Sequence, residues 1–400
     1  MKKIMTVIVS LLLMCGCNSV ISEGSNATDT QFKDSDLDAS YSGSTELVLA
    51  NEDVYITEEG TYTLSGELKG SVIVNVADDE EVQLVLDNIT IDSSDFAVIY
   101  VKEADKVTIT MTEGSVNTLS DESTYTQIDA EDVDAVIFSK ADLVINGNGT
   151  LNINANYKNG IVSKDDLTIS GGTYNIKAVN HGICGKDCLK IADGTFKLIC
   201  GGDGLKSDNE EDADRGYVYI QNGTFSITSD DDAIQGIRYV TIDGGSFDIT
   251  AHEGIEGTYI KINGGNINIS ASDDGINAAQ KVTGITPTFE MIDGSLTIVM
   301  GQGDTDAIDA NGSIYVNGGT IDITAQSPFD YDMTAEYNGG TIIINGQETD
   351  TITNQFGGQA GTGGMPGAGF DPGSFDPGDF NGNGEPPAAP GGMGPGKGPF

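Results

Sequence analysis

Along most of the chain, apolar and polar residues alternate in short runs, and the runs recur every 20 to 29 residues. One set of runs offers the apolar pairs Leu143/Ile145, Leu167/Ile169, Leu189/Ile191, Val218/Ile220, Val240/Ile242, Ile260/Ile262 and Ile314/Val316. A second set offers Leu151/Ile153, Tyr174/Ile176, Phe196/Leu198, Phe225/Ile227, Phe247/Ile249, Ile267/Ile269, Leu296/Ile298 and Ile321/Ile323. A period of two marks strands with one buried face, and no amphipathic helix of useful length interrupts them. The second set follows a Gly-Gly-Thr phrase, as at Gly171-Gly172-Thr173 and Gly244-Gly245-Ser246. Its glycines suit a tight corner that needs positive φ. From Thr150 to Thr341 the Thr-equivalents are separated by 23, 22, 29, 22, 20, 29, 25 and 21 residues. Such a period predicts an all-β solenoid, a parallel β-helix of roughly a dozen rungs, right-handed by analogy with parallel crossovers. The aromatics Tyr174, Phe196, Phe225 and Phe247 are read as stacked core.

The repeating domain is expected over residues 41–350. Its first strands are Leu47-Val48-Leu49, Val54-Tyr55-Ile56 and Tyr62-Thr63-Leu64, and an acidic excursion, Ser120 to Asp134, reads as a loop on one face. Residues 18–40 are polar and read as a disordered spacer. Residues 351–400 are Gly/Pro-rich, with Phe370-Asp371-Pro372-Gly373 and Phe375-Asp376-Pro377-Gly378 as a short repeat, and read as a disordered tail. At the start, Lys2-Lys3 precedes an apolar stretch, Ile4 to Met14, too short to span a bilayer. Met14-Cys15-Gly16-Cys17 resembles a bacterial lipobox. Residues 1–17 are then a lipoprotein signal peptide, with Cys17 lipidated and the protein anchored at the membrane, facing the cell surface.

Charge narrows the partners. A net charge of −43 with only 19 Lys plus Arg excludes nucleic acid, which needs a basic face. So many carboxylates are either solvated surface or a store of hard oxygen ligands for Ca²⁺. Trp is absent, so sugar stacking would fall to outward tyrosines: Tyr219, Tyr239, Tyr259 and Tyr315. Cys184, Cys188 and Cys200 allow one bond at most, Cys184–Cys188 or Cys188–Cys200, or else three buried thiols. A monomer is expected.

A second phrase carries the candidate chemistry. It reads Asp134-Ala-Val, Asn159-Gly-Ile, His181-Gly-Ile, Asp203-Gly-Leu, Asp232-Ala-Ile, Glu253-Gly-Ile, Asp274-Gly-Ile and Asp306-Ala-Ile. With Ile inward, stacking places Asp203, Asp232, Glu253, Asp274 and Asp306 in an outward ladder of acids. Asp230, Asp231, Glu256, Asp273, Asp304 and Asp309 reinforce it, and Gln235 and Asn277 add amide oxygens. Like charges one strand apart repel unless a cation lies between them, and Ca²⁺ suits such oxygens better than Mg²⁺, which demands a strict octahedron.

Ile56 to Gly66, the Gly-Gly-Thr-aromatic rungs, the phrase Asp273-Asp274-Gly275-Ile276-Asn277 and the Gly/Pro tail together resemble a bacterial family of secreted carbohydrate-binding β-helix proteins. The resemblance covers about Tyr41 to Glu348. It implies a calcium-holding cell-surface protein that binds cellulose or acidic pectic sugars, with a fold similar to family 9 polysaccharide lyases. Asp231-Asp232-Ala233-Ile234-Gln235 and Asp273 to Asn277 look like the calcium pattern of those lyases but end in an amide, whereas Asp304 to Asp309 keeps the final Asp. The expectation is a non-catalytic, calcium-dependent polysaccharide binder. Two alternatives stay open: a pectate-lyase-like β-elimination enzyme with Lys206, Arg238 or Lys261 as base, and a structural surface adhesin.

Overall fold

The alternating runs form strands that pair in parallel with the runs one repeat before and one repeat after. The computed structural model describes residues 31–50, 52–128, 132–301 and 305–354. Among the described residues a single hydrogen-bonded sheet system joins all strands, and the one antiparallel pair is terminal, Thr341–Ile344 with Gln347–Thr349. Three ladders run through it. A glycine ladder carries Thr150–Ala155, Thr173–Ala178, Thr195–Cys200, Thr224–Ser229, Ser246–Ala251, Asn266–Ala271 and their neighbours. An acid ladder carries Asn159–Ser163, Ile183–Gly185, Leu205–Ser207, the starts of Asp232–Ile242 and Glu253–Ile262, then Ile276–Ala278, Asp306–Ala310 and Ser327–Tyr331. A tyrosine ladder carries Asp142–Gly147, Asp166–Ile169, Cys188–Ile191, Tyr217–Ile220, the ends of the two long strands, Thr288–Met291 and Ser313–Val316.

The inward pairs read from the sequence are all buried, and they stack residue on residue. Phe289 and Met291 fill the tyrosine-ladder rung that the pattern leaves blank, after the Pro-containing loop 279–287. Tyr174, Phe196, Phe225 and Phe247 lie face to face, with centroids 4.8, 4.7 and 4.5 Å apart and ring planes within 5°. Strand spacing imposes this geometry, because side chains in register can only stack at the rung repeat. The corner before each aromatic strand is equally constrained. Gly245 has φ of +104°, and a Cβ there would come within 2.8 Å of the Gly223 carbonyl oxygen.

Two outward surfaces are covered, for different reasons. On the acid ladder the early outward residues are apolar. Ile73, Tyr100, Phe138 and Val162 need shelter, and Phe96 with Tyr125 and Val133 of the acidic excursion supply it. That ladder also corrects one reading of the repeat: Asn159 pairs with Ala135 and Ile161 with Ile137, so the first phrase begins at Ala135, not Asp134. On the tyrosine ladder the cover comes from residues 31–40, which are not the free spacer expected of them. Asp36 is buried and faces Lys106 at 3.6 Å. Side chains of the sheet donate to successive carbonyls of this strap: Lys190 to Gln31, Ser170 to Asp36, Asn146 to Asp38 and Gln83 to Ser40.

Cys184, Cys188 and Cys200 are all free thiols, so neither disulfide forms. No helix among the described residues is long and apolar enough to cross a membrane. The signal peptide, Cys17 and nearly all of the Gly/Pro-rich tail lie outside the described residues, as does Asp304.

Candidate metal centre

The acids of the phrase have a structural duty before any chemical one. Three residues of the phrase sit where one rung hands over to the next, with a side-chain oxygen that accepts the backbone N–H of the counterpart. Asn159 Oδ1 accepts from His181 at 3.1 Å, Asp203 Oδ1 from Asp232 at 3.2 Å, and Asp274 Oδ1 from Asp306 at 3.2 Å. In Asp203 the first oxygen is thereby fixed, and the second meets the Lys206 ammonium at 2.6 Å. Burial follows: Asp203 has no exposed surface, and Asp232 and Glu256 are 3% and 4% exposed, so these acids are sheltered rather than outward-facing.

Two columns then converge. Asp232 pairs in register with Glu253, and Lys206, Gln235, Glu256, Asn277, Asp309 and Asp330 follow one another three positions further along. Carboxylate oxygens of Asp232, Glu253 and Glu256 lie within 4.8 Å of one another, as do those of Asp203, Asp231 and Asp232. A third group joins His252, Glu253 and Asp273. Gln235 Nε2 donates to Asp232 at 2.5 Å and to Glu256 at 2.7 Å, and Asn277 Nδ2 donates to Glu253 at 2.9 Å. Asn277 Oδ1 is buried without a partner.

Such crowding leaves a signature in the proton affinities. Two like charges a strand apart, about 4.8 Å, repel by about 3.5 kcal/mol at an effective dielectric of about 20. Burial, then Glu256, pushes the Asp232 carboxyl up to about 9. Burial, then Asp309, pushes Asp274 to about 8; burial, then Glu256, takes Glu253 to about 7; burial, then Asp330, takes Asp309 to about 6. The folded domain therefore holds more protons than the unfolded chain, and its metal-free stability must fall as pH rises through these values. The expected result is a higher melting temperature in chelator at about pH 5 than at about pH 8.5; a rise with pH would mean that these acids are not stacked in solution.

The donor set fits Ca²⁺. It offers hard carboxylate oxygens from Asp232, Glu253 and Glu256, while Asn277 faces Glu253 with its Nδ2. The Asp203 group fits less well, since two nitrogens compete there, Lys206 Nζ at 2.6 Å and His181 Nδ1 at 3.3 Å from Asp203, against the single ammonium of Lys281 at Glu256. His181 Nδ1 accepts the Asp203 N–H, and burial lowers its pKa, so it is neutral. Asp230 points to solvent, and Asp306 is engaged by the Ser327 hydroxyl.

Sequence reasoning missed Lys281, whose ammonium pairs with Glu256 from the loop after Ala278. It also misplaced several candidates. Arg238 is buried and donates to the Glu210 carbonyl under the loop 208–216, and Lys261 pairs with Glu290 on the tyrosine ladder at 3.2 Å. Only Lys206 of the three proposed bases stands among the acids. Tyr219 is 5% exposed, with Phe32 of the strap 5.7 Å from its ring and its hydroxyl donating to Asp243, so it presents no stacking face. Tyr239, Tyr259 and Tyr315 are partly buried, away from the acid ladder, with Tyr239 and Tyr259 ring centroids 6.2 Å apart.

A family model described as "Carbohydrate-binding domain-containing protein" matches residues 50–307. A curated protein of Acetivibrio thermocellus with the same description is 46% identical over 181 residues, 44% of this chain and 63% of that protein, so the chain spans less than two-thirds of that relative. Among solved structures, the polysaccharide lyase-like protein from C. thermocellum, in a gadolinium derivative, is similar at 35% identity and a TM-score of 0.49, over 57% of this chain and 88% of that one.

Proposed function

Because the chain belongs to the carbohydrate-binding domain-containing protein family, whose domain implies a polysaccharide partner, we propose that it binds acidic plant-type polysaccharide through calcium held on the acid ladder. In this reading the three ladders wind into a right-handed parallel β-helix of roughly a dozen rungs. The protein is a monomer anchored through Cys17 at the cell surface. The carrying observation is the convergence of Asp232, Glu253 and Glu256 within 4.8 Å on adjoining rungs. A chain of charge −43 repels a polyuronate, and a cation bound at this edge reverses the local sign. Cellulose, the neutral alternative, would need no such bridge.

Elimination chemistry has less support. It requires a free base near the metal, whereas Lys206 is the only one of the three sequence candidates at the ladder. Burial alone would lower the Lys206 pKa, but the Asp203 charge outweighs that and raises it, which keeps the ammonium protonated. The deciding assay incubates the protein with polygalacturonate, with and without chelator. Calcium-dependent retention without unsaturated product is expected. Unsaturated product formed only with calcium would replace the binder by a lyase, and retention that ignores chelator would remove calcium from the reading.

A further inference from the structure

A cleft of about 610 Å³ opens on the tyrosine ladder, away from the acids just described, and its size is that of small-ligand sites, roughly 300–1,000 Å³. Its floor is the outward side of the rungs bearing Asp142, Asp166 and Thr168. The strap makes one wall, through Lys33 and Asp36, and the loop 208–216 makes another, through Asp212, Asp214 and Arg215. Both walls are held. Asp36 faces Lys106, and Arg215 bonds Asp166 while its Nε stands 3.7 Å from Asp187. Asn209 ties the loop down by donating to Asp187 at 2.5 Å and accepting the N–H groups of Glu211 and Asp212 at 2.9 Å. The strap also lies outside residues 50–307 that the family model matches, so this cleft is not made by the shared repeat alone.

The lining has an unusual balance for this chain. Four of its 19 Lys and Arg, namely Lys33, Lys106, Lys190 and Arg215, meet here, interleaved with carboxylates. Ammonium and guanidinium groups only donate, and ionised carboxylates only accept. A vicinal pair of sugar hydroxyls needs both kinds of neighbour, because each hydroxyl donates once and accepts as well. An anionic sugar fits worse, since the carboxylates outnumber the cations. Burial, then Asp166, already pushes Asp142 to about 6, and a further negative charge would add to the second of these.

We propose that this cleft is a second glycan site, independent of calcium, which takes one or two residues of a neutral, hydroxyl-rich polysaccharide. The proposal rests on the carbohydrate-binding reading and adds to it a separate place, walled by the strap and the loop 208–216.

The test titrates the full chain, in chelator, with neutral hexasaccharides of glucose, mannose and xylose, and with the galacturonate hexamer. At least one neutral sugar should bind, and Arg215→Ala and Asp142→Ala should each weaken it about tenfold or more, as loss of a hydrogen bond to a charged group does. Calcium-dependent retention of both variants on polygalacturonate would show that they are folded. Binding of no neutral sugar, binding undiminished in both variants, or binding of the galacturonate hexamer alone would overturn the cleft while leaving the calcium edge intact. Loss of polygalacturonate retention by the unaltered chain would overturn the broader reading instead.

Discussion

Replacing Asp232, Glu253 and Glu256 by Asn, Gln and Gln is expected to abolish calcium-dependent retention on polygalacturonate and, in the same protein, to raise the melting temperature measured in chelator. The two effects have opposite signs because the same carboxylates are ligands when a cation is present and, at a pH above their raised pKa values, repelling charges when it is absent. Each isosteric amide keeps volume, so packing changes little, while one acceptor oxygen is exchanged for an NH2 donor. What disappears is a set of like charges within 4.8 Å of one another, where each neighbouring pair is worth about 3.5 kcal/mol of repulsion at an effective dielectric of about 20. Calorimetry with and without calcium reads both effects at once. A triple variant less stable than the unaltered chain in chelator would mean that the acids are held by donors such as Gln235 and Lys281 more strongly than they repel. A variant still stabilised by calcium would place the ion elsewhere.

The second large effect belongs to the core. Phe225→Ala is expected to cost about 3–5 kcal/mol, the usual range for removing a fully buried aromatic ring, and to shift the denaturant midpoint without changing the fold. The ring lies between Phe196 and Phe247 at 4.7 and 4.5 Å, so its removal leaves two exposed faces inside the stack rather than one. Tyr174→Ala is the natural comparison. Tyr174 lies at the end of the aromatic run, with Leu151 below it, and a smaller loss is expected there. Equal losses would show that ring-on-ring contact adds nothing beyond area.

Much of the fold was legible because a period of two survives every local accident. Leu143 to Val316 and Leu151 to Ile323 can be read as inward positions without knowing what they face, since burial on one side is all that the alternation encodes. Where a loop resets the count the reading failed, as at Phe289 and Met291 after Pro287, and at Asp134, one residue ahead of its true register. The strap was illegible for a different reason. Residues 31–40 are Ser- and Asp-rich, which reads as disorder, yet their carbonyls accept hydrogen bonds from Gln83, Asn146, Ser170 and Lys190. Backbone oxygens leave no trace in composition.

The site divides along the same line. The acid phrase was visible, because repetition in register is a property of the string. That one oxygen of Asp203 or Asp274 is consumed by the next rung's amide was not, nor was the arrival of Lys281 from a loop outside the repeat. The outward tyrosines show the limit of periodicity: it says that Tyr219 leaves the core but not that Phe32 waits for it there.

The loops 208–216 and 279–287 enter at the same corner, between the acid and tyrosine ladders, and each stretches its repeat to 29 residues. Pairing on either side ignores them: Leu205 still meets Ile234, and Val218 still meets Leu189 and Val240. The corner therefore works as an expansion joint. Chain length can change there without being transmitted to the next turn, so new surface chemistry can be added one repeat at a time while every other repeat keeps its address.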